Sequence, residues 1–400
     1  MPSDPHPSQI TLAFSPEAGI VAIPFGEQHI KAQTALRACG FNRRPDGTYA
    51  RQAADPEATR TVLASLADIA RHHDTAVATA TRRFIGDVAD STAHQLPGAW
   101  TANVDIYTLP DWQDDLHPYL WDNGELAHAV ETTRTPYAAV LTLRDGVSLM
   151  LTEHPEADHD YLVGVFAPNG FSGHFADEPD APRSIVIPTQ PALAAQAIVE
   201  RLLPDYRRAL HDRRIHEVAS ALSWARQEQQ EWQTIATSHR ASDGMPLTSD
   251  GLSWHEDEFR DNAWNAFRDF VSHGHALFDR CQPLGPKSRE THREEDPAME
   301  RLRTALEDGK RAVAAWNTKL TELRETPRAL PTGAYLQARA RRNATAWPAI
   351  ETWLADGHIL IHHARNAPSA LPTADLTTPR QTTVAALPPP PAPKDPPRRR

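Results

Sequence analysis

The chain opens with short alternating apolar runs separated by turn-forming residues. The runs at 10–14 and 20–23 flank a turn-rich segment and predict a β-hairpin. Residues 41–51 predict a second hairpin, because a Pro-Asp-Gly sequence at their centre is typical of a tight turn. A helix is expected at 27–38, between the two hairpins. The N-terminal segment is therefore interpreted as built from ββα-type units.

A longer helical pattern follows the second hairpin. Asp55 is a good helix N-cap, and Pro56 suits the first helical position. Apolar side chains then recur every three or four residues, at Val62, Leu66, Ile69, His73, Val77, Ala80, Phe84 and Val88. This spacing places them on one helix face and predicts a single helix to about Val88. Residues 1–95 are thus predicted to form a ββαββα unit.

Alternating apolar runs return in the segment 96–190. A strong hairpin signal joins residues 136–143 to 147–152 through Arg-Asp-Gly, and further strands are expected at 161–166 and 184–187. One helix is predicted around 116–132. The segment is expected to be an acidic, mixed α/β region with an antiparallel hairpin.

From residue 191 to 366 the pattern is helical. Its clearest feature is a heptad seam with alternating steps of four and three: Leu302, Leu306, Gly309, Val313, Trp316, Leu320 and Leu323. Such a seam predicts burial against another helix, as in a coiled coil. Pro204 and Pro348 are each expected to interrupt a helix, and Ser253 is expected to open one through a capping box with Glu256.

The predicted fold class is therefore α+β. Its N-terminal ββα-type units and antiparallel sheet are followed by a helical bundle or hairpin. Residues 367–400 are rich in proline and end in arginines, so this tail is expected to be disordered. Four regions are predicted in all: 1–95, 96–190, 191–366 and 367–400.

Composition limits the classes of protein that remain open. The 400 residues carry a net charge of −11 and contain two cysteines, which argues against a disulfide scaffold and against a protein that coats nucleic acid. No apolar run approaches the ~20 residues of a membrane helix, and the N-terminus does not resemble a signal peptide. We therefore expect a cytoplasmic protein without a membrane partner.

Charge is distributed unevenly along the chain. Residues 31–51 have a net charge of +4, because they hold five basic residues and one acid. The basic residues are Lys31, Arg37, Arg43, Arg44 and Arg51. Together with Phe41 and Tyr49 on the predicted hairpin, they form a hypothetical nucleic-acid contact, although an ordinary solvated strand face is favoured. Residues 90–180 have a net charge of −14, which suits a basic partner or serves solubility alone.

The sequence predicts no catalytic residue, metal ligand set or cofactor. The densest cluster of His and acidic residues is the loop 153–160, but its spacing matches neither a calcium loop nor a zinc site. His273 and His275 lie two residues apart on a predicted helix, so they cannot converge on one ion. Of the two, His275 is expected to be packed in the helical core.

Three interpretations of function remain open. The preferred one is a non-enzymatic binding or scaffolding protein that acts through a protein partner or self-association of its helical half. The second is a nucleic-acid-associated factor that uses the basic hairpin 31–51. The third is a metal-dependent hydrolase that uses the loop 153–160.

Overall fold

The computed structural model describes residues 8–53, 55–144, 146–157, 160–168, 170–171, 178–241, 243–281, 296–325 and 332–367. The strands are β1 Ser8–Ser15, β2 Gly19–Phe25, β3 Asn42–Arg43, β4 Tyr49–Arg51, β5 Thr75–Arg83, β6 Trp100–Ile106, β7 Tyr137–Leu143, β8 Ser148–Glu153, β9 Tyr161–Val165 and β10 Ile185–Ile187. The α-helices are α1 His29–Ala38, α2 Pro56–His72, α3 Ile85–Gln95, α4 Pro110–Asp114, α5 Glu125–Thr132, α6 Pro191–Ala197, α7 Leu203–Ser238, α8 Ser249–Arg280, α9 Asp296–Glu325 and α10 Thr332–Asn366. This architecture confirms the α+β class.

The first sheet has the strand order β3-β4-β2-β1-β5. Both predicted N-terminal hairpins are confirmed, since β1 pairs with β2 and β3 pairs with β4 in antiparallel register. Asp46 closes the second turn by accepting hydrogen bonds from the backbone and hydroxyl of Thr48. One face of the sheet buries Ile10 and Tyr49 under Leu36 of α1 and Leu66 of α2.

The single long helix predicted from Asp55 to Val88 is wrong. The helix α2 ends at His72, Asp74 adopts a φ of +49°, and the chain continues as strand β5. Val77 and Ala80 do have helical spacing, but the segment is made of small and β-branched residues that suit a strand equally well. Parallel pairing of β5 with β1 decides between the two conformations.

The second sheet is an antiparallel meander in the order β10-β9-β8-β7-β6. Its β7–β8 hairpin and the strands β9 and β10 confirm the predictions, whereas the edge strand β6 was not predicted. Only the second half of the predicted helix 116–132 is α-helical, as α5, and the first half holds a single 3-10 turn at His117–Tyr119. Before it, Leu120 forms a bridge to Phe166, so the chain there lies extended along the sheet.

The helix α3 joins the two sheets into one core. Its buried residues Ile85, Val88 and Ala89 belong to the same cluster as Val21 of the first sheet and Leu141 of the second. The helix α7 connects this core to the core of the helical half. Tyr206 near its start packs edge-on against Trp121 at 5.9 Å between ring centroids, while its later residues enter the core of the helical half.

The helices α7 to α10 form a bundle around a second core. The predicted seam on α9 is confirmed, because Leu302, Leu306 and Leu323 are buried and the other large side chains of the seam are partly buried. Packing is tightest at one end. Within the described residues, α7 buries no side chain after Ala225, and α8 buries none before Phe259. The opposite end of the bundle is therefore loosely packed.

Three local predictions for the helical half are corrected. The helix α8 begins after Thr248, whose hydroxyl accepts from the Gly251 N–H at 3.2 Å, so Ser253 lies inside the helix and does not cap it. The helix α10 continues through Pro348, because tertiary packing of both flanking turns outweighs one lost hydrogen bond. A π-helical turn at Ile198–Leu202 supplies the interruption expected at Pro204, one turn earlier.

Within the described residues, no helix is both long and apolar enough to cross a membrane. The tail that is predicted to be disordered lies outside the described residues, which end at residue 367.

Gly309 allows the close approach of α9 to α8. A Cβ atom at this position would lie 2.7 Å from ring carbon Cε1 of Phe267 and 2.7 Å from Val271 Cγ2. We expect Gly309→Ala to destabilise the protein by about 1 kcal/mol net, because overpacking outweighs the gain in helix propensity. Chemical denaturation measures the change.

Gly333 provides the matched control for this substitution. It also lies in a helix, but no atom lies within 4 Å of the position its Cβ would occupy. We expect Gly333→Ala to leave stability unchanged or to raise it by up to about 1 kcal/mol. A stabilising Gly309→Ala would show that α8 and α9 can separate without cost.

Candidate partner-binding groove

The five basic residues predicted to contact nucleic acid differ in their partners and in their exposure. Lys31 pairs with Asp74 at 3.5 Å, and Arg44 pairs with Asp46 at 3.7 Å. Arg51 donates to the Cys39 carbonyl oxygen, which ties β4 to the end of α1. Arg37 and Arg43 are exposed. Three of the five therefore have structural partners, and two are exposed.

The two aromatic residues of the hairpin lie in the core. Phe41 is 3% exposed and Tyr49 is 0% exposed, and both pack against α1 and α2. Neither ring is available for stacking on a base in this conformation, which removes one of the two features behind the nucleic-acid hypothesis. That hypothesis now depends on charge alone and stays a prediction.

The loop after β8 is held by a buried arginine. Arg82 bonds to Glu153 at 3.3 Å, to the His154 carbonyl oxygen at 2.8 Å and to the Ala157 carbonyl oxygen. The Tyr137 hydroxyl donates to Glu153 at 3.0 Å, and His154 pairs with Glu125 at 3.4 Å. Glu153 is thus engaged as the counter-charge of Arg82.

Two residues of that loop, Asp158 and His159, lie outside the described residues. Among the residues that are described, no group of three or more His, Cys, Asp or Glu side chains could hold a metal ion. The hydrolase hypothesis therefore gains no ligand set from the described part of the loop.

A cavity of about 580 Å³ lies where the two sheets meet. Asp87 on α3 and Tyr161 on β9 line it, and each has a buried oxygen without a hydrogen-bond partner among the described residues. Burial raises the pKa of Asp87 above its ordinary value, and it raises the pKa of Tyr161 to about 12. Glu17, Arg82 and Arg83 also line this cavity, so its walls are polar and carry charges of both signs.

A second cavity, of about 410 Å³, runs between α9 and α10. We call it the α9–α10 groove. Its floor consists of small side chains: Ala312, Ala315, Ala334 and Ala338. Trp316 and Leu323 form apolar walls, and Lys319 and Arg341 form a basic rim. Two of these alanines lie on each helix, so small side chains line the groove on both sides.

The aromatic wall is fixed in place by a buried arginine. Arg342 lies between two indoles, with its guanidinium carbon 5.0 Å from the ring centroid of Trp264 and 4.6 Å from that of Trp316. Its guanidinium also bonds to Asp261 at 2.6 Å, and Asp261 accepts from Arg339 at 2.8 Å. These contacts orient the Trp316 ring toward α10 and leave the groove open beside it.

The groove could not have been identified from the heptad seam alone. Trp316 and Leu323 belong to the predicted seam, but the floor is made of alanines, which carry little periodic signal. One available sign is the composition at the start of α10. Residues 333–347 contain three arginines and no acid, an asymmetry in an otherwise acidic chain.

The prediction that His275 is packed in the helical core is wrong. His273 is the packed one, 6% exposed, with its ring stacked on that of Phe171 at 4.5 Å between centroids. His275 is exposed and pairs with Asp279 at 3.6 Å. The apolar stripe of α8 includes Phe270 and Leu277, and His273 lies between them on that face.

Comparisons of this chain with family models, with curated proteins and with solved structures find no match.

Proposed function

We propose that the chain is a non-enzymatic binding or scaffolding protein whose α9–α10 groove holds an acidic, amphipathic helix of a partner protein. The observation that carries the proposal is the groove itself, an alanine floor between an indole wall and a basic rim. Apolar troughs between helices accept the apolar face of a guest helix, and charge on the rim selects its polar residues.

The length of the groove suits a helical guest. Its lining extends from Ala312 to Leu323 on α9 and from Ala334 to Thr345 on α10. Eleven helical steps correspond to ~16 Å, or about three turns of a guest helix. Small residues along the floor permit the close approach of another backbone, as the ridges of one helix enter the groove of its neighbour. Three turns present two or three apolar anchors to the floor.

Charge complementarity determines the sign of the guest. Arg341 is exposed and has no acidic partner among the described residues, whereas Lys319 shares its charge with Glu322 at 2.8 Å. Arg342 and Arg339 share the single carboxylate of Asp261, so these three groups together keep one positive charge. The free charge at the rim is therefore positive and centred on Arg341. Carboxylates flanking the apolar stripe of a guest helix would pair with it.

A synthetic helical peptide of about 18 residues tests the proposal, since shorter helices are marginal in water. The peptide carries leucines at helical spacing and glutamates elsewhere, and a second peptide has lysine at every glutamate. We expect the acidic peptide to bind the full chain, to alter Trp fluorescence, and to bind at least ~10-fold more weakly to Arg341→Glu, which corresponds to 1.4 kcal/mol.

Arg311→Glu is the matched control, because Arg311 is an exposed arginine of α9 outside the groove and pairs with Asp308. It should leave affinity unchanged. Equal binding of the lysine peptide, or no effect of Arg341→Glu, would refute the acidic-helix assignment. Light scattering is run in parallel, and a concentration-dependent dimer that Arg341→Glu abolishes would identify a second copy of the chain as the occupant instead.

A further inference from the structure

The cavity of about 580 Å³ where the two sheets meet has the size of a small-molecule pocket. Its walls come from the β1–β2 turn, the end of β5, the helix α3, the first residue of β9 and the start of α6. We call it the inter-sheet cavity. Because these elements are distant in sequence and belong to one folded core, the cavity is a feature of the whole N-terminal half.

Tyr161 brings a buried hydroxyl without a protein partner to this cavity. The residue is 0% exposed, and its hydroxyl oxygen forms no hydrogen bond among the described residues. Its ring is covered by Arg82, whose guanidinium carbon lies 5.8 Å from the ring centroid and whose guanidinium is held by Glu153 at 3.3 Å. Since buried hydroxyls in folded proteins nearly always have a partner, a molecule inside the cavity is the source that remains.

Asp87 brings an unpaired acceptor from another element. Its Oδ1 atom accepts from the Ser15 hydroxyl at 3.1 Å, which fixes the carboxyl group at the end of β1. Its Oδ2 atom is buried and has no hydrogen-bond partner among the described residues. The cavity thus holds one unpaired hydroxyl on β9 and one unpaired carboxyl oxygen on α3. A single occupant satisfies both if it carries a donor and an acceptor.

Two exposed side chains add charges of opposite sign to the lining. Glu17 lies in the β1–β2 turn, and Arg83 is the last residue of β5. Neither side chain forms an ion pair with the other or with any other described residue. The lining therefore offers an occupant one negative and one positive charge that the protein leaves uncompensated.

The end of β5 reaches the cavity through an irregularity in the first sheet. Leu12 of β1 pairs with Thr79, but Phe14 pairs with Arg83, so β5 carries two more residues than β1 over this stretch. Such irregularities change the direction of side chains and are common next to binding sites. Thr81 and Arg82 lie in the stretch concerned, and both line the cavity.

We propose that the inter-sheet cavity binds a free amino acid with a bulky apolar side chain. The ammonium group donates to Asp87, close to Glu17, and the carboxylate accepts from the Tyr161 hydroxyl and pairs with Arg83. Hydrogen bonds of this kind, with a charged donor or acceptor, are the strong ones. A simple anion leaves the Asp87 oxygen unpaired, and a simple cation leaves the Tyr161 hydroxyl without an acceptor.

The remaining lining suits the side chain of such a ligand. Pro16, Val88 and Pro191 supply apolar surface to the same cavity. Its volume far exceeds the ~30 Å³ that one water molecule occupies, so the smallest amino acids would leave most of it unfilled. The cavity belongs to the N-terminal half and shares no residue with the α9–α10 groove, so this proposal does not depend on the proposed function.

Calorimetric titration of the full chain with L-phenylalanine tests the assignment against two matched probes. Hydrocinnamate lacks only the ammonium group, and phenethylamine lacks only the carboxylate. We expect L-phenylalanine to bind at one saturable site per chain and each of the other probes to bind at least ~10-fold more weakly. Equal binding of hydrocinnamate would overturn the amino-acid assignment in favour of an organic acid, and equal binding of phenethylamine would overturn it in favour of an amine.

Tyr161→Phe locates the site with little risk to the fold, because it removes a hydroxyl that has no partner in the protein. We expect it to weaken L-phenylalanine binding at least ~10-fold, and Asp87→Asn to do the same. Tyr107→Phe is the matched control, since Tyr107 also has a buried hydroxyl without a partner among the described residues but does not line this cavity. It should bind as the unmodified chain does.

Circular dichroism establishes that each variant is folded. Absence of saturable L-phenylalanine binding would overturn the proposal and leave water as the occupant of the cavity. Binding that Tyr161→Phe and Asp87→Asn both retain in full would place the ligand elsewhere and overturn the site.

Discussion

Replacing Trp353 by alanine should lower the free energy of unfolding of the helical half by about 3–5 kcal/mol. Trp353 is 0% exposed, and its ring lies 5.6 Å from that of Phe267 and 6.0 Å from that of Phe270, measured between centroids. Removing the indole would leave a cavity beside these two phenylalanine rings. Both rings belong to another helix, so they cannot move inward together to fill it. Urea denaturation followed by far-UV circular dichroism measures the change.

Two comparison variants test whether the loss of stability comes from the buried indole of Trp353. Trp224 lies on α7 with 42% of its surface exposed, so Trp224→Ala should cost less than about 1 kcal/mol. Trp353→Phe should cost less than Trp353→Ala, because the buried Nε1–H of Trp353 has no acceptor within the described residues and the smaller ring removes that unpaired donor. Equal denaturation midpoints for the two alanine variants would show that the bundle core is not centred on Trp353.

The hairpins could be predicted from the sequence because their signals are local. An Asp-Gly pair at a turn and alternation on either side specify a hairpin without reference to the rest of the chain, as Pro45-Asp46-Gly47 illustrates. The same holds for the seam on α9. Leu302 and Leu306 bury their side chains as their spacing predicts, since any helix with that stripe must cover it.

The errors occur where tertiary contacts decide between two local possibilities. Residues 75–83 are compatible with helix and strand, and only the vacant edge of β1 selects the strand. Thr248 and Ser253 are both reasonable N-caps, and the helix begins after the earlier one, whose hydroxyl accepts from the Gly251 N–H. Pro348 would end an isolated helix, but α10 is held on both sides of it by other helices.

The candidate sites were less accessible to prediction than the fold. Arg280, at the end of α8, donates to the Arg207 carbonyl oxygen near the start of α7, and no linear motif records this contact. The α9–α10 groove likewise depends on which face of two helices remains uncovered. Conversely, the basic hairpin is a true feature of the sequence, but folding pairs Lys31 and Arg44 with acids and buries the aromatic residues Phe41 and Tyr49.

The stability of the protein should fall as the pH is lowered from about 7 to about 5, and His273 should account for a defined share of the loss. Burial, reinforced by the nearby charges of Arg214 and Arg213, lowers the pKa of its imidazole from 6.5 to about 4. In the unfolded chain the pKa is near its ordinary value. Between these two values the unfolded chain binds a proton that the folded chain excludes, so stability is complete above pH 6.5 and decreases below it.

The contribution of His273 over this interval is about 2 kcal/mol. His273→Phe keeps a ring beside Phe171 and removes the titration, so the pH dependence between about 7 and 5 should be smaller by that amount. His275→Gln, two residues away on the exposed side of α8, is the control and should keep the original dependence. Asp269 and Asp122 have pKa values raised by burial and oppose the trend, but all three proteins share them. If His273→Phe and the unmodified chain lose stability in parallel, the imidazole is not held neutral against α7. The stacking of Phe171 on His273 would then have no effect on how stability depends on pH.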